Sequence, residues 1–214
     1  MSSKIVCELG DATITDADLD ILKSPTAWLN DNVITFYLEY LFLNTITTAP
    51  SSIVLIHPTA AFMLRLLPPE DMLVSTGNKR ENPFVEAKQP HIHKVLIPIN
   101  NASDPDAAGG GSHWSLLVVD KPSGVARHLD SSSGMNRQVA IETAACVSRI
   151  LEVDKLRFEE PRVVQQTNGY DCGVFTLLNV QREVTGDASA LEASAAREFR
   201  KDLLKFVLDH AAEE

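Results

Sequence analysis

The stretch 113–130, HWSLLVVDKPSGVARHLD, decides how this chain is read. Two apolar runs, HWSLLVVD (113–120) and VARHLD (125–130), flank Lys-Pro-Ser-Gly, a turn signal, and so predict two strands joined as a hairpin. A hairpin brings the start of its first strand beside the end of its second, which places His113 near Asp130. Upstream, HKVLIPIN (93–100) reads as a further strand. The connector 101–112, NASDPDAAGGGS, ends in three glycines and a serine, the composition of a mobile and functional loop.

Helical patterns lie on both sides of this strand cluster. LDILKSPTAWLND reads as a short helix, a proline turn and a new helix start. From Asn30 to about Leu43 the residues are apolar nearly all round, so that helix belongs at the centre. SIVLIH (52–57) predicts a short strand, and Pro58 a helix start continuing through TAAFMLRLL. Residues 68–92 read as loop with a short helical piece. GMNRQVAIETAACVSRILEV reads as a helix of about four turns with Ile141, Ala145, Val147 and Ile150 among its apolar positions. FEEPRVVQQ reads as a strand, and helices follow from about Cys172 to Val184 and from about Leu191 to His210. This order predicts an α+β fold, a central mixed sheet flanked by helices, with 1–214 as a single domain.

Composition narrows the function classes. The apolar fraction of 44% suits a globular core, and no run reaches the 18 or more apolar residues of a membrane span. The N-terminus carries acidic residues early and lacks a long apolar segment, so no leader is expected. Three cysteines, Cys7, Cys146 and Cys172, without CxxC spacing speak against a disulfide framework and a zinc site. Cytoplasm or nucleus is the expected location. A net charge of −10 disfavours nucleic acid as a partner.

The chemistry gathers on four residues. Cys172 lies in NGYDCGVF, where Gly169 permits a tight turn, Asp171 can cap a helix, and VFTLLNV continues that helix. A thiol there feels the positive end of the helix dipole, and its own N–H points where an oxyanion forms. The alternative is an inert buried cysteine, the reading favoured for Cys7 and Cys146. His113 is placed as general base, and Asp130 as the acceptor that orients its ring. Singly, each also fits an ordinary strand-end histidine or turn aspartate. Gln166 is a candidate oxyanion donor, with Gln165 beside it as competitor. Together, base, orienter, oxyanion donor and nucleophile are the parts of a cysteine peptidase.

In WLNDNVITFYLEYL, AAGGGSHWSLLVVD, RHLDSSSG and QQTNGYDCGVF the chain resembles the ubiquitin-like protease (Ulp/sentrin-protease) family of cysteine peptidases, through residues 28 to 175. The Gly-rich loop before His-Trp, and the tyrosine before Asp-Cys, are most similar to its deneddylase branch. Asn168-Gly169 before that tyrosine follows the form of the SUMO-specific branch, which is the alternative. The resemblance implies a papain-like (adenovirus-protease-like) domain that matures a Nedd-type modifier after Gly-Gly and cleaves its isopeptide conjugates. It implies no cofactor or metal, and a monomer that binds a ubiquitin-like modifier. A module that only binds the modifier is the non-catalytic alternative. The resemblance further implies that Trp28 and Trp114 enclose the modifier's Gly-Gly tail and that Asp31 contacts the modifier. The loop that includes Gly109, Gly110 and Gly111 is implied to rearrange around it. Without that resemblance, both tryptophans read as packing residues and Asp31 as a first-turn acid.

Overall fold

A computed structural model describes residues 3–46, 52–73, 82–103, 110–187 and 191–211. The chain opens with an antiparallel hairpin of β1 (Ile5–Leu9) and β2 (Ala12–Thr15). Helix α1 (Asp16–Lys23) starts on a capping box in which Thr15 and Asp18 satisfy each other's backbone N–H groups. Helix α2 (Asp31–Leu41) starts on Asn30, whose side chain accepts from the Val33 N–H, and runs into a π-helical turn, Phe42–Ile46. Then come β3 (Ile53–Leu55), α3 (Pro58–Met63), α4 (Pro83–Ala87), β4 (Lys94–Asn100), β5 (Trp114–Asp120) and β6 (Val125–Leu129). The chain continues through α5 (Arg137–Ile150), β7 (Arg157–Glu159), α6 (Cys172–Thr185) and α7 (Ala195–Ala211).

Five strands form one sheet in the order β3-β4-β5-β6-β7. The two outer pairings, β3 with β4 and β6 with β7, are parallel, and the inner pairings are antiparallel. The mixed sheet expected from the sequence is therefore present. Its central strands are buried on both faces, and strand alternation divides their side chains between two cores. Leu96, Trp114, Leu116, Val118 and Leu129 face a core shared with the hairpin, α2, α6 and α7. Val95, Ile97, Ile99, Leu117, Val119 and Ala126 face the other, shared with α3, α4 and α5. Helix α6 is buried from Cys172 through Val180, so the first core holds the candidate nucleophile rigidly at its edge.

Three expectations change. FEEPRVVQQ is a strand only to Glu159 in β7. Pro161 has no N–H to donate to a ladder, and the segment beyond it turns toward the site instead. The helix after Pro58 ends at Met63. On α5 the buried stripe is Ala140, Thr143, Ala144, Val147, Ser148 and Ile150, so Ala145 faces outward and Ile141 only half inward.

Candidate active site

The β5–β6 hairpin does what its register requires: Leu116 pairs with Leu129, so the residues just beyond, His113 and Asp130, meet at one end of the sheet. His113 Nε2 lies 2.6 Å from Asp130 Oδ1, and both residues are buried. The Cys172 side chain is the ring's other interacting partner and, with Asp130, favours its charged form. Nε2 is engaged by Asp130, so Nδ1 is the nitrogen left for the sulfur. The sheet and the first turn of α6 thus bring together the three residues that lie 59 positions apart in sequence, His113 to Cys172.

The electrostatics follow from this geometry. Burial works against a charged His113 ring. The hydrogen bonds and charges of Asp130 and Cys172 outweigh it and raise the ring to about 9. At neutral pH the ring therefore carries its second proton. Burial alone would push the Asp130 carboxyl up. Donation from His113, the Ser132 N–H and the Asn136 N–H, together with the ring's charge, instead holds it below the usual carboxylate range.

Gln166 comes to the same place by another route. Its N–H donates to the Ser131 carbonyl at 2.8 Å, and its Oε1 accepts from Ser131 Oγ at 2.8 Å. Its Nε2 donates to the Asn168 carbonyl at 2.6 Å, so one of its two amide hydrogens is spent within the turn that leads to Cys172. Gln165 is committed elsewhere, donating to the Asp130 and Val163 carbonyls and accepting from the Ser133 N–H. Of the two glutamines, Gln166 faces the nucleophile's turn and Gln165 braces the Asp130 turn.

The turn that leads into Cys172 is built differently from expectation. Gly169 keeps an ordinary φ, and the bend is made by Asn168, whose Oδ1 accepts from the Tyr170 and Asp171 N–H groups. Asp171 occupies the N-cap position, but its side chain makes no capping hydrogen bond. Its carboxylate pairs instead with buried Arg200 of α7 at 3.0 Å and accepts from Asn168 Nδ2 at 2.8 Å. The first N–H groups of α6 are thus left without a side-chain cap from Asp171, next to the Cys172 sulfur.

The segment 28–32 forms the adjoining wall. Trp28 is 50% exposed, whereas Trp114 is buried and donates its Nε1–H to the Leu29 carbonyl at 3.0 Å. A Cβ on Gly173 would stand 2.9 Å from Leu29 Cβ, so glycine there lets α6 approach this segment closely. From the other side, buried Asp18 accepts from Asn30 Nδ2 at 2.6 Å and from Asn32 Nδ2 at 3.2 Å. Burial favours the neutral acid at Asp18, but the donors Asn30, Thr15 and Asn32 outweigh it and hold its carboxyl low. Asp31 is exposed at the first position of α2. Gly110 and Gly111 lie three and two residues before His113 in the chain. Gly111 has φ +87, and any Cβ there would collide with the Asn100 side chain. Gly109 lies outside the described residues, as does half of the connector 101–112, namely 104–109.

Sequence reading missed Asp18, Ser115, His128, Asn136 and Arg200. Two of these carried a signal. Thr15-Asp16-Ala17-Asp18 has capping-box spacing. Arg200 shares the buried stripe of α7 with Ala196, Phe199, Leu203 and Val207, a position where an arginine needs a partner. Among the described residues, no group of three or more His, Cys, Asp and Glu is arranged to hold a metal ion, and no helix is long and apolar enough to cross a membrane.

Comparison with known proteins gives a consistent result. The family model described as the Ulp1 protease family, C-terminal catalytic domain, matches residues 27–206. NEDD8-specific protease 1 of Arabidopsis thaliana is 36% identical over 171 residues, covering 78% of this chain and 70% of the relative. Sentrin-specific protease 8 of Homo sapiens is 31% identical over 183 residues, covering 83% of this chain and 80% of the relative. Among solved structures, the C-terminal Ulp1 protease domain in complex with Smt3, the yeast ortholog of SUMO, superposes with a TM-score of 0.70 at 19% identity, covering 99% of this chain and 90% of that one.

Proposed function

We propose, from the premise that this chain belongs to the Ulp1 protease family and is a cysteine peptidase, that it cleaves after the C-terminal Gly-Gly of a Nedd-type ubiquitin-like modifier. The observation that supports the chemistry is the contact chain Cys172–His113–Asp130, closed at 2.6 Å on its carboxylate end. Support for the modifier comes from the 36% identity to a NEDD8-specific protease, together with the Gly-rich connector and Tyr170.

In this reading the Cys172 sulfur, its proton on His113, attacks the terminal glycine carbonyl. The oxyanion is met by the Cys172 N–H and the second amide hydrogen of Gln166. Collapse breaks the C–N bond, and the His113 proton leaves with the amine, whether it belongs to a target lysine or to a precursor's next residue. Water, deprotonated by His113, then opens the thioester and releases the modifier's carboxylate. Trp28 and Trp114, tied together through Leu29, admit a tail without side chains. Asp31, exposed beside them, meets the modifier's surface. We also read residues 1–214 as one domain that acts as a monomer in cytoplasm or nucleus.

SUMO is the second reading, on the strength of Asn168-Gly169. The Asn168 hydrogen bonds explain that asparagine as the architect of the turn, whatever the modifier. Fluorogenic C-terminal derivatives of Nedd-type, SUMO and ubiquitin modifiers separate the readings. Turnover of the Nedd type, abolished in Cys172→Ala, is expected. A SUMO preference would keep the chemistry and overturn the modifier, and near-wild-type turnover by Cys172→Ala would overturn both.

A further inference from the structure

Behind Asp130 lies a second buried histidine that the proposed reaction does not use. His128, on β6, has a fully buried side chain, and both its ring nitrogens have partners. Nδ1 is 3.2 Å from Glu160 Oε1, and Nε2 is 3.0 Å from Ser115 Oγ. Ser115 Oγ in turn lies 2.9 Å from Asn136 Nδ2.

The donors in this chain can be laid out in one consistent direction. Arg137 Nε donates to Glu160 Oε2 at 2.7 Å. A carboxylate only accepts, so His128 must carry a proton on Nδ1. Asn136 Nδ2 only donates, so the Ser115 oxygen accepts from it, which leaves the Ser115 hydroxyl hydrogen able to point at His128 Nε2. In that arrangement His128 takes the Nδ1–H form. Its bare Nε2 stands 4.0 Å from Asp130 Oδ2, beyond hydrogen-bond reach.

Asn136 is where this chain meets the reacting pair. Its backbone N–H donates to Asp130 Oδ2 at 3.3 Å, and its Nδ2 lies 3.1 Å from the His113 carbonyl and 3.3 Å from the Ile99 carbonyl. One residue therefore grips both the carboxylate and the histidine backbone. Its Oδ1 is buried with no hydrogen-bond partner, which costs free energy. Turning the amide over would place that oxygen against two carbonyls, so the donors alone set its orientation.

We infer that Ser115 and His128 are positioning residues: through Asn136 they hold the Asp130 carboxylate against His113 and keep positive charge away from its second oxygen. A proton on His128 Nε2 would put a cation beside Asp130 and draw its field away from the His113 ring. The groups facing His128 are Ser115, Asp130 and Glu160 by contact, Arg137 through Glu160, and the Phe158 ring at 6.1 Å. This inference rests on the reading of His113, Asp130 and Cys172 as the reacting groups. Turnover in Cys172→Ala tests that reading separately, whereas the experiment below needs no substrate.

The test is nitrogen NMR of the imidazole rings in the full chain, titrated with pH. In the wild type, His128 is expected as the neutral Nδ1–H tautomer at pH 7, and His113 is expected to titrate near 9. In Ser115→Ala, and in His128→Phe with an intact amide spectrum, the His113 midpoint should fall by about one pH unit, a tenfold change in its protonation equilibrium. The double variant should show the same fall as either single one, because both break one chain. An Nε2–H or doubly protonated His128 in the wild type overturns the inference without any variant. An unchanged His113 midpoint in Ser115→Ala overturns it too.

Discussion

Asp130 accepts three hydrogen bonds, from His113 Nε2, the Ser132 N–H and the Asn136 N–H, and this explains why a residue at a turn reads so weakly in sequence yet matters so much in space. Replacing it by Asn keeps the shape and removes the charge. With the charge gone, the His113 ring, raised to about 9 in the wild type, returns toward its ordinary value. Wild-type kcat/KM should therefore fall on the alkaline side near pH 9, and in Asp130→Asn that fall should begin lower. The same variant should lower kcat by roughly 10³–10⁴-fold with KM little changed, because the amide favours the wrong tautomer. Stability has the same sign. The raised His113 contributes fully below its unfolded value of about 6.5, and this is lost as pH climbs through about 9. The depressed Asp130 contributes above its unfolded value of about 3.9 and loses that as pH falls. Denaturant midpoints measured across pH check both limbs. Gln166→Ala should cost roughly 10²–10³-fold in kcat if its amide meets the oxyanion. A loss below about threefold, measured at saturating substrate, would remove Gln166 from that role.

At the scale of elements, helix α6 is the meeting point. Its N-terminal turn carries Cys172, Gly173 seats it against Leu29, and the preceding Asp171 is locked to Arg200 of α7. Arg200 also reaches the Ser24 carbonyl at 3.5 Å, so α7, the turn before Cys172 and the end of α1 share one guanidinium. Removing one partner of a buried ion pair leaves a bare charge, so Arg200→Met should destabilise the chain by about 3–5 kcal/mol. Adding Asp171→Asn should recover part of that loss, which chemical denaturation of the single and double variants measures. The segment 28–32 is governed by Asp18 in the same way. Asp18→Ala frees Asn30 and Asn32 and loosens Trp28 and Asp31, so KM for the modifier should rise about tenfold or more at an unchanged rate of Cys172 alkylation. An equal loss in alkylation would mean that the damage had spread to the reacting groups.

The whole molecule is a sheet clothed on both faces, and both faces run through the same central strands, β4 and β5. Such a core should melt as a unit. Tryptophan fluorescence from Trp28 and Trp114 and far-ultraviolet dichroism should give coincident denaturation curves, whereas two separated transitions would contradict the one-domain reading. This scale also shows what sequence could convey. The hairpin 113–130 was legible because short apolar runs and a Pro-Ser-Gly turn are local signals, and it carried His113 and Asp130 with it. Cys172 was legible because an apolar helix begins at it. Arg200, Asn136 and Ser115 were not, because their meaning lies in partners that only the folded chain brings near. The Val163–Gln166 segment was misread as strand for a related reason: its apolar pair Val163-Val164 packs on the core without joining the ladder.

The measurement that bears most directly on the central claim is covalent capture by modifier probes with a C-terminal electrophile, of Nedd, SUMO and ubiquitin type, on wild type and Cys172→Ala. The account predicts rapid labelling at Cys172 by the Nedd-type probe, slower or no labelling by the others, and none in Cys172→Ala. Binding of the Nedd-type probe without any covalent adduct in the wild type, with Cys172 inert, would contradict it.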